Sequence, residues 1–99
     1  MSRSSITTEK FMLRNRIHPG DFLREELIER GVSQSQLAHH IGVTPGVINL
    51  ICNGHRGISA EMAKKLSAAL GTSAQLWMNL QSSYDLNRAA DPSFGKLRA

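Results

Sequence analysis

Four kinds of side-chain chemistry can be weighed in this sequence, and spacing separates them. His39, His40, Cys52 and His55 are metal-ligating types. Adjacent histidines on a helix point apart, and a Cys52-x-x-His55 pair beside them is not a zinc-finger spacing, so no metal site and no cofactor is expected. Cys52 and His55 taken as nucleophile and base lack a third group to orient them, so no enzyme is expected. Glu25, Glu26 and Glu29 read as a solvated helix face rather than an acid–base pair, and Cys52 as a thiol packed on the inner face of its helix. What remains is hydrogen bonding and charge: Gln34, Thr44, Asn49, Asn53, His55 and Arg56, gathered in one short stretch. Amides, a hydroxyl and a guanidinium without catalytic partners suit the reading of base edges and phosphates.

That stretch carries its own positioning elements. Ser33 is placed to cap a helix, with Gln36 at the reciprocal capping-box position. Gly42 stands where the chain must leave that helix through a left-handed residue. Thr44 is a good N-cap residue for a second helix, and Pro45 then takes N1, the helical position that accepts proline. Asn53-Gly54 closes the second helix with a turn signal. Leu37 and Ile41 lie one helical turn apart, as do Ile48 and Ile51, and Ala38 lets two helices cross closely. Two short capped helices around a glycine turn are the sequence form of a helix-turn-helix; a generic helical hairpin needs no such punctuation.

The 99 residues suffice for one small domain. Hydrophobic content of 40% with only 5% aromatic residues predicts a helical core of Leu, Ile, Val, Met and Ala. No apolar run approaches the ~20 residues of a membrane span, the first residues carry no apolar signal core, and the single cysteine excludes an internal disulfide. A cytoplasmic protein without a membrane partner is expected. The net charge of +4 favours an anionic partner. Arg3, Lys10, Arg14 and Arg16 precede the first helix, whereas Glu25, Glu26 and Glu29 turn that helix away from an anion.

Residues 1–17 read as a loose basic arm. A first helix runs from His18-Pro19-Gly20 to about Arg30, with Phe22, Leu23, Leu27 and Ile28 as its apolar face and Gly31 at its end. After the helix-turn-helix, Ser59 caps a fourth helix with Met62, Ala63, Leu66 and Leu70 inside, closed by Gly71. Thr72 to Gln75 reads as a capping box opening a fifth, in which Leu76, Trp77, Leu80 and Tyr84 recur at helical spacing. The pattern fades after about Asn87, which makes 18–87 the domain and 88–99 a flexible tail. The expected fold is all-α.

This arrangement, from about Pro19 to Leu86, resembles the phage-repressor-like (XRE) helix-turn-helix domain, in which the motif forms the second and third of five helices. Narrower blocks resemble the HigA/VapI group of addiction-module antitoxins. These are His18-Pro19-Gly20-Asp21-Phe22-Leu23, Asn53-Gly54-His55-Arg56-Gly57-Ile58-Ser59, Leu70-Gly71-Thr72-Ser73, Leu76-Trp77-Met78-Asn79-Leu80-Gln81 and Tyr84-Asp85-Leu86. The resemblance implies a homodimer that represses its own operon and neutralises a toxin, usually a RelE-like mRNA endonuclease.

The expected DNA contacts begin at the start of the second motif helix, at Thr44, Pro45, Gly46, Val47 and Asn49. Phage repressors tend to carry glutamines there and HigA-type proteins an arginine; Pro45 and Gly46 bring no side-chain donor. Direct readout then falls to Asn49 on adenine, Thr44 on a base or phosphate, and Val47 on a thymine methyl. Gln34, Asn53, His55 and Arg56 are expected on phosphates. Asn49 and Arg56 each also read as plain solvated residues. Trp77 reads foremost as core; the alternative sets Leu76, Trp77, Leu80 and Tyr84 partly in a dimer interface. Phe11, Met12 and Leu13 in the arm are candidate toxin anchors. Two other functions stay open: an interaction-only antitoxin with weak DNA binding, and a stand-alone repressor.

Overall fold

The computed structural model describes residues 17–98, and within them the chain forms helices joined by short turns, without strands. The arm residues Phe11, Met12 and Leu13, with Arg3, Lys10, Arg14 and Arg16, lie outside the described residues. The helices are α1 (Pro19–Arg30), α2 (Gln34–Ile41), α3 (Pro45–Cys52), α4 (Ala60–Leu70) and α5 (Ala74–Arg88). Residues 89–98 are exposed and lie outside any helix.

Local punctuation explains most of these boundaries. His18 caps α1: its Nδ1 accepts from the Gly20 N–H at 2.8 Å, and Asp21 Oδ2 accepts from the His18 N–H at 3.2 Å. Ser33 and Gln36 form the full box at α2, with Ser33 Oγ accepting from the Gln36 N–H at 3.0 Å and Gln36 Oε1 from the Ser33 N–H at 2.8 Å. Ser59 Oγ accepts from the Met62 N–H at 3.1 Å to start α4. The box expected from Thr72 to Gln75 does not form. Ser73 is the cap of α5, accepting from the Leu76 N–H at 3.0 Å. Thr72 Oγ1 is instead taken by the Trp77 indole N–H at 2.7 Å, because a buried indole must find an acceptor, and Gln75 donates to Asn79.

The core is Phe22, Leu23 and Leu27 from α1, Leu37 and Ala38 from α2, Ile48, Ile51 and Cys52 from α3, Ile58 before α4, Met62, Ala63, Leu66 and Leu70 from α4, and Trp77 and Leu80 from α5. Helix α3 packs against α2 and α1, α4 against α2 and α5, and α5 closes on α1. A Cβ on Gly20 would run into the Ile51 carbonyl, so α1 starts directly on the backbone of α3. Phe22 and Trp77 meet edge to face, with centroids 5.2 Å apart.

Two expectations for α1 are corrected. Ile28 is 69% exposed and does not belong to the apolar face, whereas Glu26 is 7% exposed and is not solvated. The buried stripe runs through positions 22, 23, 26 and 27, and Ile28 lies on the far side of the helix. Glu26 tolerates burial because Arg30, one turn later, donates to it at 3.0 Å and also to the Leu70 carbonyl at 2.7 Å. That guanidinium fastens the end of α1 to the end of α4.

Candidate nucleic-acid interface

The turn between α2 and α3 aims the site. Gly42 sits at φ 78, in the left-handed region where glycine costs least. The Val43 N–H then returns to the Ala38 carbonyl at 3.0 Å, which reverses the chain into Thr44. Helix α3 buries Ile48, Ile51 and Cys52. The residues at 46, 49, 50 and 53 consequently share the opposite, exposed face.

On that face the amides expected to touch DNA form one connected chain. Asn49 Nδ2 donates to Gln34 Oε1 at 3.3 Å, and Asn53 Nδ2 donates to Asn49 Oδ1 at 3.2 Å. The chain bridges the start of α2 and the length of α3. Asn49 is held at both ends of its amide while staying exposed, so each of its polar atoms keeps capacity for one more partner. Thr44, Pro45 and Gly46 are exposed, and the Thr44 side chain makes no cap bond.

Beyond α3 the Gly54 N–H reaches the Ile51 carbonyl at 3.0 Å and the His55 N–H the Leu50 carbonyl at 2.8 Å. These bonds set His55 and Arg56 on the surface beside Asn53. An exposed guanidinium at this edge can pair with a phosphate.

Val47 is not on the exposed face. It is half-buried against the core and lines a cleft of 140 Å³ with Val43, Arg56, Ser59, Glu61, Met62 and Lys65. The exposed apolar side chain of α3 is Leu50, at 43%. Leu50 is not among the expected contacts, although its place four residues after Gly46 and three before Asn53 puts it on the exposed face.

Of the four residues that the alternative reading sets partly in a dimer interface, Trp77 and Leu80 are 0% and 2% exposed within one chain. Their surface is already spent in the core, so that part of the interface reading is corrected in favour of core packing. Leu76 and Tyr84 are half-buried. Tyr84 meets His18 edge-on at 4.7 Å and carries the Arg88 guanidinium 5.3 Å from its ring centre.

His39, His40 and His55 are exposed, and no group of three or more metal-ligating side chains forms among the described residues. Burial, with a smaller push from Asp21 and an opposing pull from Arg24, raises the Cys52 thiol pKa. A thiol so disfavoured as thiolate is a poor nucleophile. No helix among the described residues is long and apolar enough to cross a membrane.

Known proteins share this architecture and sequence. The helix-turn-helix family model matches residues 23–77. Virulence-associated protein I of Dichelobacter nodosus is 45% identical over 74 residues, which is 74% of this chain and 68% of that protein. Antitoxin HigA-1 of Vibrio cholerae is 34% identical over 74 residues, covering 74% of this chain and 70% of its own. The structure of Pseudomonas aeruginosa antitoxin HigA with the higBA promoter superposes with a TM-score of 0.69 at 49% identity, over 72% of this chain and 78% of that one. On this match of motif, fold and sequence, the chain belongs to the phage-repressor-like helix-turn-helix family and, within it, to the HigA/VapI-type antitoxins.

Proposed function

We propose that this protein binds the operator of its own operon as a homodimer, represses it, and neutralises a cognate RelE-like mRNA endonuclease. The observation that carries the DNA half is the exposed Gln34–Asn49–Asn53 amide chain. An amide pre-oriented by its neighbours offers a donor and an acceptor to adenine with little ordering cost on binding. Leu50 supplies the apolar contact for a thymine methyl, Thr44 a base or phosphate bond, and His55 and Arg56 hold the flanking phosphates. The promoter-bound relative from Pseudomonas aeruginosa supports the same assignment. Leu76 and Tyr84 remain as the α5 contribution to a dimer that spans half-sites about 34–36 Å apart. Residues 1–17 form the arm, 18–87 the DNA-binding domain and 88–99 the tail, with Phe11, Met12 and Leu13 as toxin anchors.

Fluorescence anisotropy on the protein's own upstream DNA, beside scrambled DNA and across a salt series, tests this reading. Preferential operator binding is expected. Asn49→Ala should erode the preference by about 1–3 kcal/mol, while Arg56→Ala should weaken both DNAs alike and lower the salt slope by about one. The bare start of α3, with Pro45 and Gly46 in place of donors, favours a second reading in which toxin binding is the main task. Equal binding to both DNAs, fading steeply with salt, would select it.

A further inference from the structure

His55 and Arg56 stand on a segment with no helix or strand of its own. Its front is held by the two N–H bonds back to Ile51 and Leu50. Its rear is held from α5. Gln81 Oε1 accepts from the Ile58 N–H at 2.7 Å, across 23 residues of sequence. Gln81 Nε2 donates to Asp85 Oδ1 at 2.9 Å. Asp85 as a carboxylate only accepts, so it claims the NH₂ and leaves the carbonyl oxygen facing the loop. Gly57 lies so close beneath that an added Cβ would stand 2.9 Å from Gln81 Oε1. Ile58 itself is 4% exposed. One side chain from α5 therefore covers the backbone of two successive residues, directly behind the exposed cation.

We infer that Gln81 is the positioning residue of the His55–Arg56 phosphate clamp, oriented for that task by Asp85. It touches no DNA. It presets the loop so that the guanidinium and imidazole meet phosphate without first losing backbone freedom. Without it, the Ile58 N–H loses its acceptor and the loop is fixed at its front alone. This rests on the DNA-binding reading above.

The test is the full chain carrying Gln81→Met, which keeps the length and apolar stem but removes both bonds. Operator and scrambled DNA should lose affinity by the same factor, about tenfold. The salt slope should shrink by about one, as on loss of a phosphate contact. Arg56→Ala should then cost the Gln81→Met protein much less than it costs wild type, since the two changes remove one function. Restoring the pair with exchanged chemistry separates positioning from general damage. In the Gln81→Glu/Asp85→Asn double variant the carboxylate again accepts from Ile58 and from the new amide, and affinity and slope should return. Additive losses for Gln81→Met and Arg56→Ala with an unchanged slope would overturn the inference, as would an exchanged pair that restores nothing. Wild-type protein that fails to prefer the operator would overturn the DNA reading itself, and that result is seen before any variant is made.

Discussion

On the wall formed by α1 and α5, polar side chains are answered from within the chain. Trp77 finds Thr72, His18 Nδ1 finds the Gly20 N–H, and Gln81 finds Ile58. Arg30, at the end of α1, finds Glu26 and the Leu70 carbonyl. On the α2–α3 edge, Gln34, Asn49 and Asn53 answer only one another at 3.2–3.3 Å, and the Thr44 hydroxyl makes no cap bond. The wall's bonds are buried or part-buried and hold a cap, a loop and the helix ends in place; the edge keeps its polar atoms near the surface with capacity to spare. A small domain can separate stability from recognition in this way, because burial makes a bond costly to lose while exposure makes it cheap to exchange for a ligand. The contrast is testable from both sides.

The largest effect should come from the wall. Trp77→Ala removes a fully buried ring, its edge contact with Phe22 and its bond to Thr72. It should cost about 3–5 kcal/mol of stability, a large share of what a domain this size has. Thermal melts followed by circular dichroism measure it. Asn49→Ala, on the exposed edge, should change stability by no more than about 0.5 kcal/mol while eroding operator preference. If the Asn49 variant melts as early as the Trp77 variant, the two regions are not separate.

A smaller effect tests His18, where the wall meets solution pH. Burial lowers the imidazole pKa below its ordinary 6.5, with Arg88 adding to the shift and Asp21 and Asp85 opposing it. Tyr84 packs edge-on against the ring. The folded state therefore prefers the neutral ring, and a proton on Nδ1 would displace the Gly20 N–H it accepts. As pH falls below about 6.5 the unfolded chain takes up the proton first, so stability present above that pH is lost on the way down to the folded pKa. His18→Asn keeps a capping acceptor without the titration. Urea unfolding between about pH 7 and pH 5 should show wild type weakening relative to this variant. Parallel curves would show that His18 does not carry the pH dependence.

What the sequence revealed about the fold was what lies close along the chain. Ser33 with Gln36, Gly42, Ser59 and Gly71 act within a few residues, and each stands where the local pattern places it. The failures trace to packing and pairing that residue type alone does not show. Thr72 looked like half of a capping box until a buried indole claimed its hydroxyl. Glu26 looked solvated because its type outweighed its register, and the register is tolerated only through Arg30. Ile28 is the converse, an apolar type on the outer side of α1. In the candidate site, residue types pointed to Gln34, Asn49, Asn53 and Arg56, but nothing in the order of residues announces that the first three are bonded in a line. Val47 is half-buried and Leu50 exposed because α3 is rotated to bury 48, 51 and 52. Gln81 and Asp85 are a local pair one helical turn apart, but nothing nearby points to the loop partner Ile58, 23 residues distant.

The finest comparison lies inside the motif, between the two helix starts. At α2 the Ser33 hydroxyl and Gln36 amide satisfy backbone donors reciprocally. At α3 the corresponding Thr44 has the extended backbone of a cap residue, φ −76 and ψ 149, yet no side-chain bond. Pro45 removes one orphan N–H by having none, and the Val47 N–H turns back to the Thr44 carbonyl at 3.0 Å. Helix α3 thus starts without a side-chain cap, and the Thr44 hydroxyl stays exposed. Ser33→Ala should cost about 1 kcal/mol of stability. Thr44→Ala should leave the melting temperature unchanged and lower affinity for the operator instead. Equal thermal losses from the two changes would mean that Thr44 caps in solution after all, and the bond to DNA would then have to come from Asn49 and its neighbours alone.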